Sequence, residues 1–208
     1  MRSKQEIMQL RQLAVGGFDH NFSYLIYDGT SGAAIDPAGS PKLLHDAIAD
    51  AGIKHLNHIL LTHGHPDHCD ALKELKTEFP DAEICGHPGN AVAERHLGDG
   101  ERIQFGDCMI ETIFTPGHSR DSVSYLVNGE ALLTGDTLFV DYVGFATRPD
   151  GLFASLKRIS KLSGKIVIYP GHDYGSVPFR TLAEEKRLNP YLSCRDLNAF
   201  KNQLKDLI

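Results

Sequence analysis

Residues 60–68 read LLTHGHPDH: an apolar run ends in three histidines and an aspartate gathered around a glycine and a proline. Neutral imidazole nitrogens and carboxylate oxygens are the donors that divalent cations take up, so the cluster has the chemistry of a metal site. His63 and His65 stand two apart, and on a chain leaving a strand such side chains point the same way and can grip one ion. Gly64 permits tight backbone geometry and Pro66 fixes φ, bending the segment so that Asp67 and His68 face a neighbouring position. The segment therefore offers donors to two ions. A divalent ion takes about four to six ligands, and four side chains cannot satisfy two ions, so further donors must come from elsewhere.

Three other segments supply them. FTPGHS places His118 in a Pro-Gly turn after a strand-like run, LLTGDTLF places Asp136 after an apolar strand and a glycine, and IVIYPGHDYG places His172 at another strand-to-turn step. Any one of these alone is weak, because a histidine after a strand is usually structural and Gly-Asp is a common turn. Together, His63, His65, Asp67, His68, His118, Asp136 and His172 follow apolar strands in the order H-x-H-x-D-H, H, D, H, which accident does not readily produce. His20, His45, His55, His58, His87 and His96 lack that context and are read as surface or core residues. Two adjacent divalent cations lower the pKa of a shared water from about 16 toward neutrality, which makes hydroxide available without a strong side-chain base. Asp67 is the expected catalytic residue, orienting the nucleophile as well as binding metal. The cations in turn provide the counter-charge that buried carboxylates otherwise lack.

Positioning these donors requires strands that end together. NFSYLIYD (21–28) and GAAIDP (32–37) read as strands joined at Asp28-Gly29. Ser40-Pro41 opens a helix, KLLHDAIADAG, that stops at Gly52. LNHILLT (56–62) reads as a buried strand, and a helix follows from around His68 to Phe79, where Pro80 ends it. EIC, RIQF, CMIETIFT, VSYLV and ALLTG are strand candidates between 83 and 135, LFASLKRISKL (152–162) is a helix, and KIVIY (165–169) is a strand. CRDLNAFKNQLKDLI carries a short C-terminal amphipathic helix at about 195–207, with Leu197, Phe200, Leu204 and Ile208 near one face. The chain is α/β, and residues 1–208 are expected to form one domain whose sheet-rich core is covered by helices.

The bulk properties agree. At 208 residues, 41% hydrophobic and 23% charged, the chain can bury one sizeable core, and no apolar run approaches the length of a membrane span. A formal charge of -6 gives no overall reason to bind nucleic acid or an anionic membrane. EEKRLNP (184–190) mixes both signs and reads as a solvated helix face. The opening MRSKQEIMQLRQL lacks the apolar block of a secretory signal, so a cytoplasmic location is expected. Cys69, Cys85, Cys108 and Cys194 form no C-x-x-C pair, which argues against a disulfide framework or a thiolate zinc site. They are read as reduced, Cys69 as a small buried thiol.

Taken together, THGHPDH, TPGHS, TGDTLF and PGHDYG resemble the metallo-β-lactamase superfamily, over most of the chain to about residue 192. The resemblance implies an αββα sandwich with the metals at one edge of two packed sheets. It implies His63, His65 and His118 on the first metal, Asp67, His68 and His172 on the second, and Asp136 bridging. Aspartate at 136 departs from the true β-lactamases that use a cysteine there, and His65 departs from the flavo-diiron proteins, which carry a glutamate.

TGDTLFV and YPGHDYGSVPFRTLAEEKRLNPYL resemble glyoxalase II and the related persulfide dioxygenases, both of which act on glutathione conjugates. The former implies a thioester (acyl-glutathione) hydrolase with two metals, zinc being the expected ion. The latter implies one Fe(II) held through His63, His118 and Asp136. GDTLF leans toward the hydrolases and HDYG...EEKRLNP toward the dioxygenases. Hydrolysis is the leading expectation and the dioxygenase the alternative, followed by a lactonase or a non-catalytic metal-binding module. By the same resemblance Tyr174 contacts the glutathione moiety, the plainer reading being a ring packed under its loop. VGFATRPDG stands where the family has a Gly-Arg or Gly-Lys step, so Arg148 is the anion contact that a shifted loop would supply. Glyoxalase II also has a C-terminal helical domain that helps clamp glutathione, whereas here about one helix follows Pro190. That helix is expected to pack on its own domain or on a sister subunit of a homo-oligomer. The expected partner is otherwise a small-molecule substrate, with no nucleic acid and no membrane.

Overall fold

Alternating apolar runs and turns sort the chain into two six-stranded sheets in the computed structural model, which describes residues 8–207, with side chains through 205. The first sheet holds β1 (Gln9–Gly16), β2 (Asn21–Asp28), β3 (Ser31–Ile35), β4 (His55–Leu60), β5 (Glu83–Gly86) and β6 (Arg95–His96), in that order. The second holds β7 (Arg102–Phe105), β8 (Cys108–Phe114), β9 (Val123–Val127), β10 (Ala131–Gly135), β11 (Val167–Pro170) and β12 (Arg180–Thr181), also in chain order. Hairpins make β1 to β3 antiparallel, and crossovers through α1 (Pro41–Asp50) and α2 (Leu72–Glu78) make β3, β4 and β5 parallel. The second sheet is an antiparallel meander until α3 (Pro149–Ile159) crosses over and sets β11 parallel to β10. Three short helices close the chain: α4 (Leu182–Leu188), α5 (Pro190–Ser193) and α6 (Leu197–Gln203).

Both faces of the central strands are buried, which is why they read as unbroken apolar runs rather than alternations. Tyr24, Ile26, Ile35 and Leu60 turn inward to meet Ile110, Tyr125, Val127 and Leu133 of the other sheet. Leu25, Ala34 and Ile59 turn outward under Ala47, Ile48, Leu72 and Leu75 of α1 and α2. On the far side Leu132 and Ile168 pack under Leu152, Leu156 and Phe200 of α3 and α6. The layers are therefore helix, sheet, sheet, helix: an αββα sandwich.

Several local readings change. β1 was not legible because it is an edge strand with mostly half-buried residues, so polar side chains break its pattern. The helix expected from His68 opens only at Leu72. Pro66–His68 form a single 3-10 turn, and Ala71 N–H donates to Pro37 O at 3.1 Å, so this backbone is tied to the β3–α1 loop before the helix begins. α3 starts earlier than LFASL, at Pro149, where the missing N–H costs nothing. α4 is not a wholly solvated face, since Glu185 is fully buried and accepts from Arg180 Nη1 at 2.8 Å and Asn189 Nδ2 at 2.9 Å. α6 packs on its own chain: Phe200 is buried against Phe153 of α3, with ring centroids 5.4 Å apart, while Ile208 lies outside the described residues. All four cysteines are free, and burial pushes the Cys85 and Cys108 thiols up to about 12. Cys69 is half-buried rather than buried, with its thiol near His65 O. Among the described residues no helix is long and apolar enough to cross a membrane.

Candidate metal centre

Four strands, β4 from the first sheet and β8, β10 and β11 from the second, each end in a loop that carries at least one of the donor residues. The sheets are stitched together at this edge. Tyr125 Oη donates to Leu61 O and Val123 N–H to Thr62 O, both at 2.8 Å, and Phe22 N–H donates to Gly171 O at 2.8 Å. These bonds bring the loop after β4 against the loops after β8 and β11, so residues more than a hundred positions apart share one floor.

On that floor three sets form, His63–His65–His118, His63–His68–Asp136 and Asp67–His68–His172, and within each set the donor atoms lie within 4.8 Å of one another. His63 Nε2 and His118 Nε2 approach His65 Nδ1 at 3.0 and 2.9 Å, and His68 Nε2 approaches His172 Nε2 at 3.2 Å. Asp136 stands between the sets, with Oδ2 at 3.4 Å from His118 Nε2 and 3.3 Å from His172 Nε2, and Oδ1 at 3.3 Å from His68 Nε2. All seven sequence-selected donors converge.

The outer ring nitrogens fix what the inner ones can do. His172 Nδ1 is 2.6 Å from Asp19 O and His118 Nδ1 is 2.9 Å from Phe145 O. A carbonyl only accepts, so both Nδ1 atoms carry the proton and the neutral rings turn bare Nε2 lone pairs inward. His68 Nδ1 lies 3.1 Å from Asp36 Oδ2, which gives the same tautomer and sets two lone pairs face to face across 3.2 Å to His172. A proton or a bound cation between the rings relieves that facing. Asp136 Oδ1, buried without a hydrogen-bond partner of adequate geometry, is a second unmet donor at the same point. Four-coordinate bonds of about 2.0–2.1 Å would separate ligand atoms by about 3.4 Å, close to the observed spacings. The donor set therefore fits divalent cations, with the outer nitrogens of His63, His68, His118 and His172 each on an oxygen in the manner of metal-binding rings.

The electrostatics divide the rings: at His68 and His172 burial opposes the charged form, but Asp136 beside both and Asp36 beside His68 raise them above the usual imidazole range, so without a cation a proton takes the point between them. Burial, with His68 beside it, drives His63 well below the usual imidazole range, and burial likewise lowers His118; both are thereby kept in the neutral, ligating form. Burial would raise the Asp136 carboxyl, but the surrounding His68, His172 and His63 hold it well below the usual range and therefore ionised.

Sequence reading missed the supports of these donors. Asp36, in the left-handed region at φ 47°, accepts from Thr62 N–H at 2.7 Å and Thr62 Oγ1 at 2.6 Å besides facing His68, while Thr62 Oγ1 lies 3.1 Å from His63 Nδ1. Asn21 Nδ2 donates to Asp67 Oδ2 at 3.1 Å. Asp36 was visible only as the end of AIDP, and nothing local marked Asp19 or Asn21. Tyr174 does stand at the centre: its ring stacks on His172 with planes 4° apart, and its hydroxyl donates to the Asp19 carboxylate. Arg148 stands apart, exposed at the start of α3 and 3.8 Å from Asp150.

Gly171 is required by close approach: a Cβ there would lie 2.3 Å from Asp136 Oδ1 and 2.8 Å from His68 Cε1. Gly171→Ala is expected to displace Asp136 or His68, costing about 1–3 kcal/mol of stability and lowering bound metal below that of the parent. Thermal unfolding and elemental analysis check this, and unchanged metal content would show that the contact is relieved elsewhere.

Above the donors a cavity of about 590 Å³ opens to solvent, with Asp67, His118, Asp136 and His172 at its floor. The family model described as the metallo-beta-lactamase superfamily matches residues 16–172. A hydroxyacylglutathione hydrolase of Francisella tularensis subsp. holarctica is 34% identical over 195 residues, covering 88% of this chain and 77% of the relative. Among solved structures, ETHE1 from Myxococcus xanthus aligns at a TM-score of 0.85 with 30% identity, covering 96% of this chain and 91% of that one. TTHA1623 in a di-iron-bound form aligns at a TM-score of 0.72 with 27% identity, covering 88% of this chain and 99% of that one.

Proposed function

Because the chain belongs to the metallo-beta-lactamase superfamily, we propose that it is a metal-dependent hydrolase of thioesters, with acyl-glutathione as the reference substrate. The observation that carries the reading is the set of inward-facing imidazole nitrogens and the Asp136 carboxylate meeting at the floor of an open cavity. The 34% identity to a hydroxyacylglutathione hydrolase supports the reaction class. His63, His65 and His118 would hold one ion, Asp67, His68 and His172 the other, and Asp136 would bridge, two zinc ions being the proposed complement. Divalent ions so held supply Lewis acidity toward a carbonyl and water of near-neutral pKa.

The chain's own residues do the rest. Asp67 lines the cavity with Oδ2 fixed by Asn21 at 3.1 Å, so it can orient the attacking water and hold its proton at a set position. Asp36, Phe145 O and Asp19 O fix the rings of His68, His118 and His172, so no reorganisation is needed when charge develops on the carbonyl oxygen. Overall, water adds to the carbonyl, the C–S bond breaks, and the products are a carboxylic acid and a free thiol. Four free cysteines suit the reducing cytoplasm, which is the compartment proposed.

The expected result is steady hydrolysis of an acyl-glutathione by the zinc-loaded chain, followed at the thioester absorbance, lost on chelation and regained with zinc. Absence of turnover across several acyl thioesters with two zinc ions bound per chain rejects the reading. A second reading, a dioxygenase of glutathione persulfide with one Fe(II), is supported by the placement of His63, His118 and Asp136 around one point, two imidazoles and a carboxylate. Elemental analysis of protein purified without added metal separates the two, near two zinc per chain favouring hydrolysis and near one iron favouring oxygen chemistry.

A further inference from the structure

Around the cavity mouth the side chains are aromatic and apolar: Phe18, Phe139, Tyr142, Val143, Phe145 and Tyr174. Phe18 is 92% and Phe145 75% exposed, and with Tyr142 and Tyr174 they gather, among the described residues, four of ten exposed large hydrophobic side chains at one opening. Solvent-facing rings clustered at a cavity mark a binding surface, because scattering them would expose less contiguous apolar area.

The charged residues on the same wall are Asp19, Asp67 and Asp136, and among the described residues no lysine or arginine lines the cavity. Arg148, the cation proposed from the sequence, is exposed and turned toward Asp150 at 3.8 Å, and Arg120, two residues from His118, is not among the lining residues. Glutathione carries two carboxylates and one ammonium at neutral pH. Asp67 and Asp136 are ligands in the proposed function and Asp19 accepts from Tyr174, so the case rests on the rings: desolvating glutathione's carboxylates against them, with no lysine or arginine among the described lining residues, is unfavourable. The rings themselves offer stacking and apolar burial, which an uncharged aromatic group uses fully.

We infer that this site prefers thioesters whose thiol portion is uncharged and aromatic over those of glutathione. The inference rests on the thioesterase reading and narrows its substrate class. Phe18, Phe145 and Tyr142 are specificity residues in this account, supplying binding energy without touching the reacting atoms.

The test uses the zinc-loaded full chain and lactoyl thioesters that share one acyl group and differ in the thiol: benzyl mercaptan, N-acetylcysteamine and glutathione. The kcat/KM for the benzyl thioester is expected to exceed that for the glutathione thioester by at least about tenfold, or 1.4 kcal/mol. Phe18→Ala and Phe145→Ala, which remove exposed rings and leave the core intact, are expected to raise KM for the benzyl thioester severalfold with little change in kcat. Equal or better kcat/KM with the glutathione thioester overturns the inference while leaving the hydrolase reading standing. Should no thioester turn over, that reading fails, and binding still decides the inference. In titration calorimetry, benzyl methyl sulfide binding at least tenfold more tightly than S-methylglutathione upholds the aromatic preference, and the reverse order removes it.

Discussion

Asp136→Asn is expected to lower kcat by about 10³-fold, the upper range for losing one preorganised charge contact at a reacting centre, and to leave fewer than two ions bound per chain. The substitution keeps shape and volume and deletes one negative charge. That charge stands within 3.3–3.4 Å of His68, His118 and His172 and is the one carboxylate between the two groups of histidines. Asparagine would also turn an amide N–H₂ toward imidazole lone pairs or toward a cation, so its oxygen can serve one set of donors but not both. Secondary structure by circular dichroism should be unchanged, because β10 ends at Gly135 and its ladder does not use the Asp136 side chain. Steady-state kinetics and elemental analysis read the effect together. Full activity with two ions bound would mean that Asp136 does not bridge, and its place between the two ions would have to be abandoned.

Asp36→Ala should destabilise the folded chain by about 3–5 kcal/mol, the range for removing one partner of a buried ionic pair. In a domain of this size that is a fall in midpoint of about 10–15 °C. Asp36 is 1% exposed, and its carboxylate binds Thr62 N–H at 2.7 Å, Thr62 Oγ1 at 2.6 Å and His68 Nδ1 at 3.1 Å. Alanine leaves the Thr62 N–H without its acceptor and the outer nitrogen of His68 free to reverse its tautomer. It also sits poorly at φ 47°, where asparagine is comfortable. Asp36→Asn is the matching control: it retains the conformation and one acceptor oxygen and should lose distinctly less. Metal affinity should fall by about 10–100-fold in the alanine variant, as for other partners of ligating histidines. A variant within about 1 kcal/mol of the parent and with unaltered metal affinity would show that Thr62 and His68 are held by packing alone.

The sequence alone determined the donors and their order, because metal chemistry restricts residue type so strongly. H-x-H-x-D-H after an apolar run, followed by His118, Asp136 and His172 after three more, singles out the candidate ligands before any fold is known. The sheet-rich α/β core was legible for a related reason, since strands buried on both faces appear as apolar blocks such as NFSYLIYD and ALLTG, while the αββα sandwich itself was implied by the resemblance of the motifs to the superfamily. Where those conditions lapse, legibility lapses. β1 is a half-buried edge strand whose polar residues obscure its period, and the residues after His68 are held by Pro37 O rather than by helical propensity.

Only the tertiary structure decided how the donors are aimed and what surrounds them. His172 is oriented by a carbonyl 153 residues away and His118 by one 27 residues away, and a backbone carbonyl leaves no trace in residue type. Asp36 looks in the sequence like the end of a strand, and becomes the support of Thr62 and His68 because β3 and β4 lie side by side in register. The aromatic mouth likewise draws on three loops, Phe18 after β1, Phe139, Tyr142 and Phe145 between β10 and α3, and Tyr174 after β11, which share a wall through the docking of two sheets. Ligand identity is local chemistry and can be read along the chain. Orientation, support and the shape of the cavity depend on contacts between distant residues, and those exist only after the sheets have packed.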